Sequence, residues 1–416
     1  MKRTLLLSIF LLSFSFSFAQ NNKAFAITGN STGDFQWMSI RQIDLLTGSV
    51  TNNIFEKGVT NFQLRDAVTD KEITPVSLNL QEGKQISSPL YPTATMVAAA
   101  AYDRKHDKLF FTPMLLGELR WLDLSSNSER PKFYSLQNSL LNFGNIKDEA
   151  NNITRMTIGA DGNGYALTND GNHLIRFTTG KKVIITDLGA LIDASSNNHI
   201  SIHNKCSCWG GDMVADALGN LYLFTASKNV FKINLESRIA THLGSITGLS
   251  GAYTLNGAAV DNDDNVIISS ANTFEGFYKV NIKDLTAVKL NTTGQIFNAS
   301  DLANGNLLFE NQARNAVGAA PLIQREVIGN QFVSIYPNPV FGTQFKVTFD
   351  NKAAGEYNIT LTDVQGKIIM TRQVFVKSAG QVETIQLKNQ RANGIYLIKV
   401  TNSNKKPVFA DKIVFD

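Results

Sequence analysis

The sequence has few charged residues and few prolines, and no long apolar run beyond its first twenty residues. Charged residues make up 18% of the 416 positions, and the net charge of +4 forms no basic stripe, which argues against a nucleic-acid-binding protein. Only nine prolines accompany abundant Asn, Ser, Thr and Gly, a balance that favours strands and polar turns over helices. The 43% hydrophobic content supports a sizeable core in two or three domains rather than a disordered chain.

Residues 1–19 are predicted to be a secretory signal peptide. Lys2 and Arg3 precede an apolar stretch, Leu5–Phe18, and the small residue Ala19 stands before Gln20. The alternative is an uncleaved N-terminal anchor. No later segment reaches about 18 continuous apolar residues, so the exported protein is expected to be soluble.

The last part of the chain, residues 334–416, is predicted to be a small domain of six or seven short strands. It follows a stretch rich in Ala, Asn and Gln, residues 311–333, which we interpret as a linker. The two prolines at positions 337 and 339 exclude a paired strand and favour an extended lead into the domain. Period-two alternation beyond them is typical of a β-sandwich of the immunoglobulin-like kind.

Five ordered motifs in this part resemble the type A C-terminal sorting domain of the type IX secretion system of Bacteroidota. The residues that carry the resemblance are Tyr336, Pro337, Asn338, Pro339, Gly355, Tyr357, Asp363, Gly366, Lys367, Gly394, Ile395, Tyr396 and Lys412. The resemblance implies export through the periplasm by this system, recognition by its translocon, and removal of the domain by its cleaving machinery. It also implies attachment of the passenger to surface lipopolysaccharide, or its release. A structural module without a sorting role is the alternative.

Between the two ends, residues 20–310 contain an internal repeat. The segment Met156–Leu167 aligns without gaps on Met213–Phe224, and the same strand, Asp/Asn/Gly turn and strand recur three more times. The repeat anchors, with successive spacings of 55, 57, 45 and 41, are Lys108, Asn163, Asn220, Asn265 and Asn306. A period of this size with several short strands predicts the blades of a β-propeller, similar in pattern to NHL-like and quinoprotein-like propellers.

The ends of the propeller are predicted to join in one blade. Each repeat continues into a third strand, and an unpaired copy of that strand, Arg41–Leu45, lies near the N-terminus. We therefore expect the N-terminal strands to complete the blade begun at residues 299–309, which removes free sheet edges. The fold class is all-β, with five or six blades. Phe25–Thr28, or the irregular stretch Asn61–Thr95, would supply the sixth, and blade length favours six.

Several segments were weighed as binding or catalytic sites. The turns Asp161–Gly164 and Asp261–Asn265 carry oxygen ligands suited to Ca²⁺, but turn chemistry explains them better. Gly29–Gly33 matches the G-x-S-x-G pattern of esterases, yet no helix follows it, so a flexible turn is favoured. Asp103, Asp216, Asp261 and Asp301 lie near the ends of first strands; we interpret them as turn caps rather than as carboxylates facing the propeller axis.

The densest chemistry lies in His199–Asp212. Three alternatives are open for it: a tight disulfide between Cys206 and Cys208, two separate thiols, or a soft-metal site that adds His203 or His199. The disulfide is favoured because exported cysteines usually pair. No cofactor is predicted, with Ca²⁺ or a soft metal as the alternatives.

The sequence favours a non-enzymatic binding or adhesion module at the cell surface or in the medium. Its ligand would be a glycan, a peptide or an envelope protein held by the inter-strand loops. No catalytic residue is assigned. The alternatives are an exported hydrolase or lyase with its site in the propeller funnel, and a structural envelope component.

Overall fold

A computed structural model describes most of the chain. The described residues are 22–73, 91–126, 128–145, 147–292, 294–316, 333–336, 338, 340, 342–349, 354–363, 367–378, 380–387, 394–404 and 406–415. The predicted signal peptide, residues 1–19, lies outside them. The chain forms two compact units, residues 1–323 and 324–416.

The described residues of the first unit form 22 strands and two short α-helices. In chain order they are β1 (Lys23–Thr28), β2 (Ser39–Asp44), β3 (Val50–Phe55), β4 (Gln63–Asp66), β5 (Val97–Asp103), β6 (Lys108–Pro113), β7 (Glu118–Asp123), β8 (Lys132–Gln137), β9 (Ile153–Ile158), β10 (Gly164–Thr168), β11 (Leu174–Phe177), β12 (Ile185–Asp187), β13 (Ile192–Asp193), α1 (Lys205–Cys208), β14 (Asp212–Ala215), β15 (Asn220–Phe224), β16 (Asn229–Asn234), β17 (Ile239–Ser245), β18 (Gly257–Val260), β19 (Val266–Ser269), β20 (Tyr278–Asn281), β21 (Thr286–Lys289), β22 (Ala299–Ala303) and α2 (Glu310–Ala316). Single 3₁₀ turns lie at Ser139–Leu141 and Glu149–Asn151.

These strands form five antiparallel sheets in a propeller-like ring. The strand orders are β22-β1-β2-β3, β5-β6-β7-β8-β4, β9-β10-β11-β12, β14-β15-β16-β17-β13 and β18-β19-β20-β21, with β4 and β13 added in parallel at outer edges. The first strand of each sheet contacts the first strands of two other sheets, so β22, β5, β9, β14 and β18 form a closed cycle around an axis. The predicted third strands are confirmed as β2, β7, β11, β16 and β20.

The N- and C-terminal parts of this unit meet in one sheet, as expected. Strand β1 pairs antiparallel with β22, with Ala26 opposite Leu302. Only β22 comes from the far end, because the chain leaves the sheet after Ala303 instead of forming a second strand there. The chain then enters α2, which covers the start of the stretch predicted to be a linker.

The two segments proposed for a sixth blade form no sheet of their own in the described part of the chain. Phe25–Thr28 lies within β1, which is needed as the second strand of the closing sheet, and β4 only extends the sheet of β8. Residues 74–90 lie outside the described part. The described residues of the first unit thus form five sheets, and the preference for a sixth blade stays a prediction.

The repeat anchors owe their recurrence to backbone geometry. In each turn between a first and a second strand, the residue before the anchor has a left-handed backbone, with φ of 50° at Asp107, 77° at Gly162, 90° at Gly219 and 61° at Asp264. Only Gly, Asn and Asp adopt this conformation at little energetic cost. The Asp/Asn/Gly pattern is thus the chemistry of a tight turn.

In the part of the second unit that the structure describes, seven strands form two sheets. They are β23 (Ser334–Tyr336), β24 (Gln344–Phe349), β25 (Gly355–Asp363), β26 (Ile368–Val376), β27 (Gln381–Gln386), β28 (Gly394–Asn402) and β29 (Pro407–Phe415). The sheet orders are β23-β24-β27 and β26-β25-β28-β29. Alternate residues such as Phe345, Ile359 and Ile398 point inward and share one buried core. The predicted alternation therefore places the strands correctly.

Three buried arginines hold the irregular backbone of the first unit. Arg155 on β9 is fully buried and donates to the carbonyl oxygens of Thr168 at 2.8 Å, Asn169 at 3.0 Å and Gly210 at 2.9 Å, and also to that of Cys208. It thus joins its own sheet to the connection that leads into β14. Arg120 donates to Pro92 O at 2.6 Å, and Arg41 to Gly29 O at 2.7 Å. Buried loop carbonyls need such donors because no ladder reaches them.

Replacing Arg155 by Leu should destabilise the first unit by more than about 3 kcal/mol, since several buried carbonyls lose their donor at once. Urea unfolding monitored by circular dichroism measures this. Arg176→Leu, in the same sheet at a half-buried position, is the matched control and should change stability by less than about 1 kcal/mol. Equal effects of the two substitutions would contradict the role given to Arg155.

Candidate functional site

The two ends of the ring differ in the length of their connections. Turns from first to second strands, at residues 104–107, 159–163, 216–219 and 261–265, lie at one end, which we call the tight-turn face. Connections from second to third strands and from one sheet to the next lie at the opposite end, because consecutive strands alternate in direction. They include residues 29–38, 138–152, 188–211, 270–277 and 290–298. We call this end the long-loop face.

Three of the four aspartates near the ends of first strands, Asp103, Asp216 and Asp261, are turn caps. Asp216 accepts hydrogen bonds from the N–H groups of Leu218 at 2.9 Å and Asn220 at 2.7 Å, and Asp261 accepts from Asp263 and Asn265, both at 2.8 Å. Asp103 accepts from Lys105 N at 2.9 Å. Their oxygens are thus engaged within the tight turns, as are those of Asp161 in the other turn weighed for Ca²⁺.

Asp301, the fourth aspartate, lies elsewhere: it is fully buried at the axis and faces Asp212. We call these two residues the axial pair. Asp212 accepts hydrogen bonds from the N–H groups of Met213 and Ala258, both at 2.7 Å, and the N–H groups of Met156 and Leu302 also face it. Neither oxygen of Asp301 has a well-aligned donor.

Burial raises the pKa of both carboxyl groups of the axial pair well above the ordinary range. For Asp212 the surrounding N–H groups oppose this rise, whereas for Asp301 the charge of Asp212 adds to it. The surroundings therefore favour the ionised form of Asp212 and the protonated form of Asp301. Asp212 accepts hydrogen bonds from N–H groups on the inner edges of the ring, where no further strand can pair with them.

The axis is covered at the tight-turn face by the chain that leaves β22. The Asn304 and Asn306 side chains donate to Val260 O at 2.7 and 2.9 Å, and Ala217 N donates to Leu308 O at 2.9 Å. Leu308 itself is fully buried. A ligand that approaches the axis from this face would therefore meet backbone and packed side chains.

The histidine and cysteine stretch forms part of the connection at residues 188–211 on the long-loop face. Helix α1 begins after Asn204, whose side chain caps it by accepting from the N–H groups of Cys206 and Ser207. Cys206 is exposed and Cys208 is buried, and both are free thiols. The favoured disulfide has no support in this geometry, because residues two apart on a helix point in different directions.

The residues weighed for a soft-metal site are not brought together. Both ring nitrogens of His203 lie at hydrogen-bond distance from carbonyl oxygens, 2.7 Å from Asp170 O and 3.2 Å from Leu191 O. Within the described residues, no three His, Cys, Asp or Glu side chains converge in a way that could hold a metal ion. Burial raises the pKa of the Cys208 thiol to about 11, so it stays protonated at neutral pH.

In the second unit, the sorting motifs divide into structural and surface positions. Asn338 donates to Lys412 O at 2.9 Å and accepts from Val414 N at 2.7 Å, which extends the edge of β29. Tyr396 is buried and packs edge-on against Phe415, with the two ring centroids 5.1 Å apart. Its neighbour Ile395 points outward and is 49% exposed.

The remaining motif residues follow the same division. Tyr357 is buried in the core beside Gly355 at the start of β25, and Gly394 begins β28. Two hydrogen bonds close the β25–β26 hairpin: Asp363 N donates to Lys367 O at 3.0 Å, and Lys367 N donates to Asp363 Oδ1 at 2.9 Å. Only the backbone of Tyr336 is described, and Pro337, Pro339 and Gly366 lie outside the described residues.

Residues 334–416 match the family described as the secretion system C-terminal sorting domain. The chain is thus an exported, β-rich protein with a propeller-like fold. Its C-terminal unit is a sorting domain of the type IX secretion system, which directs it to the cell surface or into the medium. No curated protein matches the chain. Among the described residues, no helix has the length and apolarity that crossing a membrane requires.

Several solved structures share low similarity with the chain. They include PorZ, a surface component of the type IX secretion system of Porphyromonas gingivalis (12% identity, 94% of this chain, 51% of that chain, TM-score 0.27). A second is the extracellular domain of a putative one-component system of B. thetaiotaomicron (12% identity, 91% of this chain, 48% of that chain, TM-score 0.32). A third is virginiamycin B lyase of Staphylococcus aureus (13% identity, 94% of this chain, 95% of that chain, TM-score 0.32). The chain spans about half the length of the first two. Because these TM-scores are low, the propeller-like architecture is inferred from the strand pairing of this chain and not from these structures.

Asp301→Asn should raise stability at pH 7–8, because the amide donates to Asp212 as the protonated acid does but has no proton to lose. A carboxyl group with a raised folded-state pKa loses stability as pH rises above the unfolded value near 4. The gain over the wild type should therefore grow on the order of 1 kcal/mol per pH unit above about pH 4, until the folded pKa is reached. Urea unfolding at a series of pH values measures it.

Asp212→Asn is the matched comparison for this experiment. It removes the carboxylate that accepts hydrogen bonds from several N–H groups and should destabilise the protein at pH 7 by about 2 kcal/mol. If both substitutions destabilised equally at every pH, the assignment of the proton to Asp301 would be wrong.

Proposed function

We propose that this chain is an exported binding module in which a five-bladed propeller presents its ligand site on the long-loop face. The observation that carries the proposal is the contrast between the two ends of the ring. One end carries the self-capped turns between first and second strands and a covered axis, whereas the other carries the connections at residues 29–38 and 188–211 and exposes Phe35, Phe274, Leu115 and Leu140. Loops on a rigid scaffold are the usual position of binding residues.

The rigidity of the long-loop face supports binding rather than a passive cover. Arg155, Arg120 and Arg41 each hold loop carbonyls from below, so these connections have defined positions before any ligand arrives. A preformed site loses less conformational entropy on binding. The proposed ligand of this face is a glycan, a peptide or an envelope protein.

The alternative of a hydrolase or lyase in the funnel has weaker support. Its acids would be the axial pair, since two carboxylates that share a proton are suited to acid–base chemistry. Both are fully buried, and their oxygens face main-chain N–H groups and each other. We therefore assign the pair a structural role and no catalytic residue.

Delivery to the surface is the part of the function assigned to the C-terminal unit. In our proposal its two sheets form an immunoglobulin-like sandwich that the translocon reads and the cleaving machinery then removes. The passenger is then tethered to lipopolysaccharide or released. The match to the sorting family supports the first step, and the outward positions of Ile395 and Lys412 offer a surface for recognition.

Removing residues 330–416 should leave the passenger in the periplasm of the native host. Fractionation followed by immunoblotting measures this, with protease accessibility on whole cells as the surface assay. Circular dichroism of the truncated chain checks that the strands of the first unit are retained. Surface display of a folded, truncated passenger would contradict the assigned role.

Blocking the long-loop face should abolish binding, whereas blocking the tight-turn face should not. The exposed thiol of Cys206 allows a maleimide-linked polyethylene glycol to be placed on the long-loop face, while buried Cys208 should stay unmodified. The matched control is the double variant Cys206→Ser/Leu218→Cys, which carries the same polymer in a tight turn where Leu218 is 65% exposed. Retention on glycan and peptide arrays is the measurement.

We expect retention of the unmodified protein and of the form labelled at position 218, and at least a tenfold loss for the form labelled at Cys206. Equal retention of both labelled forms would contradict a site on the long-loop face. The absence of retention by the unmodified protein would instead favour the structural envelope role.

A further inference from the structure

The long-loop face carries two exposed aromatic rings, one from the closing sheet and one from its neighbour, and we call this ring pair and the loops around it the aromatic cleft. Phe35, in the connection from β1 to β2, and Phe274, in the connection from β19 to β20, have ring centroids 5.8 Å apart with planes inclined at 52°. Their side chains are 49% and 39% exposed. Two neighbouring aromatic rings left in solvent on a loop face are typical of a binding surface.

A buried amide holds the two loops in this arrangement. The Asn298 Nδ2 group donates to Ala271 O at 2.8 Å and to Asp34 O at 3.4 Å, so one side chain joins the segments that carry both rings. Asn298 is 1% exposed, and its Oδ1 atom has no hydrogen-bond partner within the protein. The Oγ1 atom of Thr273, beside Phe274, is likewise buried and unpartnered. Buried polar atoms of this kind indicate hydrogen bonds that a ligand or water would complete.

The charged groups next to the cleft are already engaged. The Asp34 carboxylate accepts from the N–H groups of Asn30 at 2.8 Å and Gln36 at 2.9 Å. The Glu275 carboxylate accepts from Ser250 Oγ at 2.6 Å and Tyr278 Oη at 3.0 Å. Three exposed amides lie in the connections around the cleft: Gln36 between β1 and β2, Asn272 between β19 and β20, and Gln295 between β21 and β22. Beside the aromatic faces the cleft therefore offers side-chain amides, and the two negatively charged carboxylates disfavour an anionic ligand.

We propose that the aromatic cleft binds a neutral saccharide. A sugar ring combines an apolar C–H face, which stacks on an aromatic ring, with hydroxyl groups that pair with exposed side-chain amides. A peptide recognised through its main chain would need an open strand edge, whereas this cleft consists of loop side chains. The inference rests on the binding function proposed for the long-loop face and assigns its ligand class.

The test uses the full mature chain in affinity gel electrophoresis. The gels contain neutral polysaccharides, namely a β-glucan, a mannan, a xylan or dextran, and a separate gel contains the anionic polysaccharide alginate. The variant is Phe35→Ala/Phe274→Ala, and the matched control is Leu115→Ala/Leu140→Ala, which removes two apolar side chains that are 39% and 43% exposed elsewhere on the same face. Thermal unfolding of both variants should match the wild type, since all four side chains are exposed.

We expect at least one neutral polysaccharide to retard the wild type and the Leu115/Leu140 control, with at least a tenfold weaker effect on the Phe35/Phe274 variant. Retardation by alginate alone, or no retardation by any neutral polysaccharide, would overturn the saccharide assignment. If only the Leu115/Leu140 control lost retardation, the ligand would bind on the long-loop face but outside the aromatic cleft, and the proposal for the cleft would be wrong. The polymer-blocking experiment tests the face independently, so the two failures are distinguishable.

Discussion

The structure of the first unit depends on satisfying backbone polar groups where the regular strand ladders stop. At the axis, the inner edges of the ring present N–H groups that no further strand can pair, and the Asp212 carboxylate, which Asp301 faces, accepts from several of them. Beneath the long-loop face, buried connections present carbonyl oxygens, and guanidinium groups such as that of Arg155 serve those. Acids therefore lie where donors are left over and arginines where acceptors are, because an unsatisfied buried group costs about 1–3 kcal/mol.

This arrangement separates scaffold from surface. The tight turns cap themselves with Asp and Asn side chains and need no support, whereas the long connections are held by arginines from below and by Asn298 between two loops. Side chains that would otherwise order the loops are thus free to face solvent, as Phe35 and Phe274 do. The same division occurs in the sorting domain, where Tyr396 fills the core and Ile395, next to it, remains outside.

Local chemistry explains how much of this was predictable. Strand alternation, the Asp/Asn/Gly turns and the third strand of each repeat follow from nearest-neighbour rules, and the structure confirms them. Asp301 looked like Asp216 and Asp261 because all three stand near a first strand, yet only Asp301 faces Asp212 across the axis. Chain length likewise cannot distinguish a strand that starts a sheet from one that extends it, as β4 does.

The sequence by itself determined the all-β class, the repeat, the joining of the two ends in one sheet, and the sorting domain. All of these depend on periodicities and motifs within short stretches. Only the tertiary structure decided which aspartates meet at the axis, that Cys206 and Cys208 diverge on a helix, and that Phe35 lies beside Phe274. Those relations join residues far apart in the chain or depend on a local backbone that polar residues alone do not specify. Packing of the whole ring sets them.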